Sequence, residues 1–278
     1  MTNERRGALY VAGAALLWST GGLGIKAVDA APLVVAGWRS AIAAATLGIV
    51  FRPPLRGLRL LAPAACYAAC LTTFVVATKW TTAANAIFLQ YSGVVWVLML
   101  SPAVVGEPLR TRDAVAAGVA LVGMALFFVG RLDLGAHAGD VVALISGIFF
   151  AAIVLLVRRA DDEGRLALIT WGNVLTAITL LPFVATAPLP RPSSLAVLLY
   201  LGVVQIAAAY VLFLKGVHHI PAIPTAIISM LEPIANPIWV FLTIGESPTA
   251  PAMAGAAIVL SAITWHTLSE RPPRDGPR

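Results

Sequence analysis

Long apolar runs, broken at short intervals by charge and proline, follow one another along the whole chain. They fall near residues 7–28, 33–51, 58–80, 84–105, 113–130, 139–157, 166–185, 194–214, 221–244 and 250–268. Each is close to the roughly 20 residues that an α-helix needs to cross about 30 Å of hydrocarbon. The runs are continuous rather than alternating, so the pattern predicts ten membrane-spanning helices and not a barrel. The first run, from Gly7 to Val28, is longer than the apolar core of a signal peptide and is read as a retained span.

Composition agrees with that pattern. Of 278 residues, 59% are apolar and 12% charged, and the mean hydropathy is +0.89, the profile of an integral membrane protein. Ten spans leave no room beside them for a soluble catalytic domain. The net charge of +6 would raise the question of nucleic acid in a soluble protein. Here it orients the chain instead. With the first residues in the cytoplasm, fourteen of the 19 basic residues fall on inner segments, among them Arg5, Arg52, Arg110, Arg159 and Arg271. Only Lys26, Lys79, Arg131 and Arg191 fall outside, and Arg39 stays within the second span. That bias predicts an inner (plasma) membrane protein with both termini cytoplasmic. Cys66 and Cys70 lie one helical turn apart in an apolar run and read as small buried side chains, with no disulfide framework or metal cluster implied.

The chain also repeats itself. Asn85 to Glu107 resembles Thr225 to Glu246, both ending in Gly-Glu, and each stretch leads into a helix rich in small residues. The predicted units are residues 1–132 and 133–278. Five spans per unit is an odd number, so the second enters the membrane upside down, and inverted halves of this kind place a solute site near the midplane between them.

The ten spans, the LLWSTGG stretch with its Trp18-Ser19 pair, and the paired segments ending Gly106-Glu107 and Gly245-Glu246 resemble the drug/metabolite transporter superfamily, in its ten-helix EamA family. The resemblance covers essentially the whole chain. It implies an all-α secondary transporter that exports small metabolites, and the aromatic and neutral amino-acid exporters of that family look most similar. The first copy departs from the family pattern in carrying Gly93 where such helices often have proline, as the second does at Pro233.

A path for a polar solute needs fixed polar groups facing the bundle interior. Thr225, Ser229, Glu232 and Asn236 recur at helical spacing on the ninth span and form one stripe. The matching fourth-span positions are Asn85, Leu89, Ser92 and Trp96, with Gln90 and Tyr91 on adjacent faces. Pro233 and Pro237 each remove an amide donor, freeing the carbonyls of Ser229 and Pro233 for an ammonium group. Trp18, Trp96, Trp171, Trp239, Tyr91 and Tyr210 offer stacking and cation-π surface. The substrate-binding set expected from these patterns is Trp18, Asn85, Gln90, Tyr91, Trp96, Tyr210, Ser229, Glu232 and Asn236, with Gly93, Pro233 and Pro237 as kink positions. Many such side chains merely join helices. Lys79 and Lys215 come at the ends of the third and eighth spans, where snorkelling explains them about as well as a substrate role does. Gly118, Gly123 and Gly255 are expected to be close-packing positions.

Glu232 is the acid placed deepest in a span, and a carboxyl there must be paired or protonated. It has the chemistry to contact a solute amine or to exchange a proton for it. Arg39 needs a partner too. No GxxxxGK[ST] loop, HExxH motif or Cys/His metal spacing occurs, so neither an enzyme nor a cofactor is implied, and energy would come from a gradient. A lipid or amphiphile flippase and a multidrug efflux carrier are the alternatives to amino-acid export. The expected partners are a small solute, an amino acid by resemblance, and membrane lipid.

Overall fold

The computed structural model describes residues 3–54, 57–127, 129, 137–244 and 249–269, and among these the chain is helical with no strand. Eight helices are long and apolar enough to span a membrane: α1 (Asn3–Ala27), α2 (Pro32–Phe51), α3 (Leu61–Trp80), α4 (Ala83–Val105), α6 (His137–Arg159), α7 (Asp162–Thr186), α8 (Pro192–Val217) and α10 (Ala250–Ser269). Two more complete the set of ten, α5 (Thr111–Phe127) and α9, which runs as Ala222–Ser229 and Leu231–Ile244. Ile49, Met99, Val122 and Ile178 stand exposed on the outside of this bundle, where hydrocarbon rather than water is the solvent. The protein is a multi-pass membrane protein.

Helix ends follow local chemistry rather than apolarity. α7 begins four residues before its apolar run, because the Asp161 carboxylate accepts the amide of Gly164 at 2.9 Å and Asp162 and Glu163 occupy the positive first turn.

The packing shows the two inverted five-helix repeats. Under the exchange of α1 with α6, α2 with α7 and α3 with α8, the contact of α1 on α8 becomes that of α3 on α6. The contact of α2 on α8 becomes that of α3 on α7, while α2–α7 and α5–α10 each map onto themselves. Polar bonds obey the same exchange. Arg39 of α2 donates to Gln205 of α8 at 3.1 Å, and Asn173 of α7 donates to the Tyr67 hydroxyl of α3 at 2.9 Å.

Four helices are irregular, and all four interruptions face the centre. α1 breaks after Trp18, where Ser19 and Thr20 bond back to the carbonyls of Leu16 and Leu17. α4 breaks at Tyr91-Ser92, with tighter bonds from Val94 to Tyr91 and from Val95 to Ser92. α9 breaks at Met230, and α8 widens into a π-helical stretch over Leu201–Ala208. Only the α9 break is flagged by proline. The α4 break sits against α6 so tightly that a Cβ at Gly93 would lie 2.5 Å from the Gly147 carbonyl oxygen. A proline at this position would bring a Cβ into the same contact. At Gly123 a Cβ would meet Ile258 and the Gly255 carbonyl, as expected of close packing, but at Gly118 it would meet open space. Gly118 is therefore not a packing position: it lies on the outward side of α5.

Candidate functional site

A cavity of about 40 Å³ lies where the two repeats meet. Its walls come from both: Trp18, Arg39, Cys70, Leu71, Phe74 and Gln90 from the first, and Phe150, Gln205, Ile206, Tyr210 and Glu232 from the second. Ligand pockets run to about 300 Å³ and more, so the bundle is closed around its centre. A larger pocket of about 330 Å³ opens among Arg6, Tyr10, Lys215 and His218, but it shares no lining residue with the central one.

Aromatic rings form one wall. Trp18 lies 5.0 Å from Tyr210 and 5.1 Å from Phe213, and Tyr67 lies 5.1 Å from Tyr210, all at tilted or edge-on angles that favour contact between ring edge and ring face. Phe150, at the place in α6 that Trp18 holds in α1, packs at a tilt against Tyr91 with ring centres 5.8 Å apart. The polar groups are held by cross-helix bonds. Gln90 donates to the Ser146 hydroxyl at 2.8 Å and to the Cys70 sulfur at 3.9 Å. Glu232, 6% exposed, accepts the Tyr91 hydroxyl on Oε2 at 2.9 Å. Arg39, 2% exposed, shares the cavity with Glu232, but no ion pair joins them among the described residues.

Of the residues expected from sequence, Trp18, Gln90, Tyr210 and Glu232 line this cavity, and Tyr91 stands directly behind Glu232. The carbonyl of Ser229, freed by Pro233, is taken by the Tyr91 hydroxyl rather than left open, while the Ser229 hydroxyl bonds back to Thr225. Asn85 does not reach the cavity. It donates to Asp140 at 2.9 Å near one end of the bundle. Trp96 is 38% exposed on the outside, and Trp171 donates to the Pro54 carbonyl. Trp239 crosses from α9 to the α1 break, where its ring nitrogen donates to Ser19 Oγ at 2.6 Å. Pro233 is buried, whereas the side chains of Asn236 and Pro237 lie outside those described, as do Gly245 and Glu246. Cys70, Phe74, Phe150 and Gln205 were missed. Gln205 carried a signal, being a lone polar residue inside an apolar run, and Phe150 could have been found by aligning α6 with α1.

Both ends of the bundle are latched. At one, Glu107 accepts Arg158 at 2.7 Å and the amide of Ala222 at 2.8 Å, while Arg158 also donates to the Val217 carbonyl at 3.0 Å. At the other, Lys26 donates to the Thr81 carbonyl at 2.8 Å, and Lys79 donates to that of Val28 at 2.6 Å instead of snorkelling. Asp140 there accepts both Thr81 and Asn85 at 2.9 Å. The bonds of Glu107 to Arg158 and Ala222, and of Asp140 to Thr81 and Asn85, cross between the two repeats, whereas those of Lys26, Lys79 and the Val217 carbonyl tie helix ends within one repeat.

Comparison with known proteins agrees with this layout. A model described as the EamA-like transporter family matches residues 5–129 and 137–268. A probable terminal-alkyne amino-acid exporter of Streptantibioticus cattleyicolor is 26% identical over 255 residues, spanning 87% of this chain and 84% of that one. An uncharacterized transporter of Archaeoglobus fulgidus is 26% identical over 194 residues, spanning 69% of this chain and 70% of its own. A solved crystal structure with 17% identity shares the fold at a TM-score of 0.79, over 94% of this chain and 97% of that one. With both halves of the chain matched, the protein belongs to the EamA-like transporter family.

Proposed function

We propose that this transporter exports amino acids, neutral or aromatic in their side chains, from the cytoplasm across the inner membrane. The halves 1–132 and 133–278 rock about the central cavity, with both termini cytoplasmic. The observation that carries this reading is Glu232, a buried carboxyl at the junction of the repeats that shares its cavity with the rings of Trp18, Tyr210 and Phe150. A carboxylate suits an ammonium group, and the rings suit an apolar or aromatic side chain. The Streptantibioticus relative, itself named a probable amino-acid exporter, supports the same solute class.

Alternating access follows from the latches. Release of Glu107 from Arg158 and Ala222 admits solute from the cytoplasmic side, and release of Asp140 from Thr81 and Asn85 lets it leave on the other. Glu232 can give up its ammonium partner for a proton on the outer side, which couples export to proton entry. The deciding experiment is a flux screen of the purified protein in liposomes, with labelled amino acids, nucleosides, sugars and lipophilic cations, alongside a lipid-scrambling assay. Saturable flux of neutral or aromatic amino acids is expected. Lipid scrambling or flux of cations without any amino-acid flux would replace this reading with a flippase or a multidrug carrier.

A further inference from the structure

Arg39 presents a buried cation that its neighbours do not complete. Of its guanidinium, Nη2 donates to Gln205 Oε1 at 3.1 Å, while Nε and Nη1 have no hydrogen-bond partner among the described residues. A guanidinium has five donors and no acceptor, and it stays charged in proteins. Left without a counter-ion inside a membrane bundle it is costly, and such residues mark solute or ion paths.

The fold does not require that charge. The equivalent crossing in the other repeat is closed by a neutral pair, Asn173 and Tyr67, at 2.9 Å. Helix contact alone is therefore served without an arginine. The surroundings instead hold Gln205 in place against Arg39. Gln205 lies in the π-helical stretch of α8, an irregularity that often marks functional positions. Its amide occupies the space left by Gly21 at the α1 break, where a Cβ would lie 2.6 Å from Gln205 Nε2. The α1 break, with its absent Cβ at Gly21, and the widened turn of α8 thus converge on Gln205, the partner of that guanidinium.

We propose that Arg39, positioned by Gln205, is the subsite that binds the carboxylate of the transported solute. Two neighbouring N–H groups on a guanidinium edge match the two oxygens of a carboxylate, a pairing that Lys cannot reproduce. Glu232 and Arg39 line one cavity without touching, so when the closed bundle widens an α-amino acid can place its ammonium group at one and its carboxylate at the other. This inference rests on the amino-acid reading and narrows it: amines and amino-acid amides that lack the carboxylate are excluded. Gln205 is a positioning residue in this scheme.

The test is inhibition of labelled leucine or phenylalanine counterflow in liposomes holding the full chain. The competitors are the same amino acid, its amide, and the amine left when the carboxyl group is removed. In the wild type the carboxylate-free competitors should be weaker by about tenfold or more, as expected for charge-assisted hydrogen bonds. Arg39→Gln should lose most amino-acid flux and bring the competitors to within about twofold of one another, while Arg39→Lys should recover only part of the discrimination. Gln205→Leu should weaken the discrimination while leaving the preference among amino-acid side chains unchanged. A wild type inhibited equally by amine, amide and amino acid overturns the proposal without any variant, as does an Arg39→Gln protein that keeps the wild-type discrimination. Should the wild type carry no amino acid, the functional reading fails. The same comparison is then made on the solute that is carried, and a solute without a carboxylate sinks the Arg39 subsite as well.

Discussion

Lys26 and Arg158 are the same residue of two inverted copies. Each is the penultimate residue of the first helix of its repeat, and each donates to a carbonyl at the C-terminal end of the third, Thr81 at 2.8 Å and Val217 at 3.0 Å. The two bonds lie at opposite ends of the bundle, each within its own repeat, so inversion has produced one brace for each side, next to the bonds of Glu107 and Asp140 that latch the repeats together. A cation on a helix C-terminal carbonyl is favourable but modest, about 1.5–3 kcal/mol. Bonds of that strength hold an end closed and still let it open.

Weakening either latch should expose the cavity, and Cys70 is a native reporter for it because it lines the cavity at 2% exposure. With Cys66→Ala as background, Cys70 is the sole thiol. Asp140→Ala and Arg158→Met should each speed its reaction with a small maleimide by about tenfold or more, because each removes charge-assisted bonds that cross between the repeats. Membrane-impermeant reagent applied to either face of a vesicle should show that the two substitutions act from opposite sides. Unchanged labelling in both variants would mean that the latches do not gate the centre.

Tyr91 joins the broken helices α4 and α9 through its hydroxyl, which meets both Glu232 and the Ser229 carbonyl. Tyr91→Phe keeps the ring on Phe150 and strands two buried acceptors. The expected cost is about 1–3 kcal/mol of stability, seen as a lower Tm in detergent, with solute flux reduced and its pH dependence altered. A Phe variant with parental Tm and flux would remove Tyr91 from the account.

Two glycines separate close approach from coincidence. Gly93→Ala would force a Cβ onto the Gly147 carbonyl and should destabilise by about 1–3 kcal/mol. Gly118→Ala meets nothing within 4 Å and should be neutral or slightly stabilising. Melting curves of the two proteins in one detergent check this, and equal losses would refute the packing at the α4 break.

Orientation is open to a separate check. A cytoplasm-active reporter fused after Arg278, and another inserted between Arg159 and Gly164, should both report inside. One placed between Gly135 and Ala138 should report outside. An outside signal after Arg278 would reverse the chain and with it the assignment of the latches.

Much of the architecture was legible because the bilayer is a strict solvent. Ten apolar runs and a doubled Gly-Glu segment suffice for ten spans in two inverted copies. Glu232 and Arg39 stood out as charges where lipid tolerates few. The interruptions of α1 and α4 did not, since no proline marks them and Ser19, Thr20 and Ser92 are ordinary residues in such helices. That omission explains Trp96. A stripe drawn through Asn85, Leu89, Ser92 and Trp96 assumes one unbroken helix, and the tighter turn at Tyr91-Ser92 rotates everything after it, so that Trp96 faces outward. Asn85 lies before the break but near the helix end, within reach of Asp140, a residue 55 positions distant by sequence and adjacent only in the fold.

The central claim is that an amino acid crosses through the cavity at Glu232 in exchange for a proton. The most direct measurement is the initial rate of neutral amino-acid flux in liposomes across a pH series, with and without an imposed proton gradient, for the wild type and for Glu232→Gln. The wild type should be driven by the gradient and should vary with pH. The Gln variant, which keeps the size and the Tyr91 contact but not the charge, should lose the response to both while remaining folded. A well-folded Glu232→Gln protein with the parental rate, pH profile and gradient response would contradict the account.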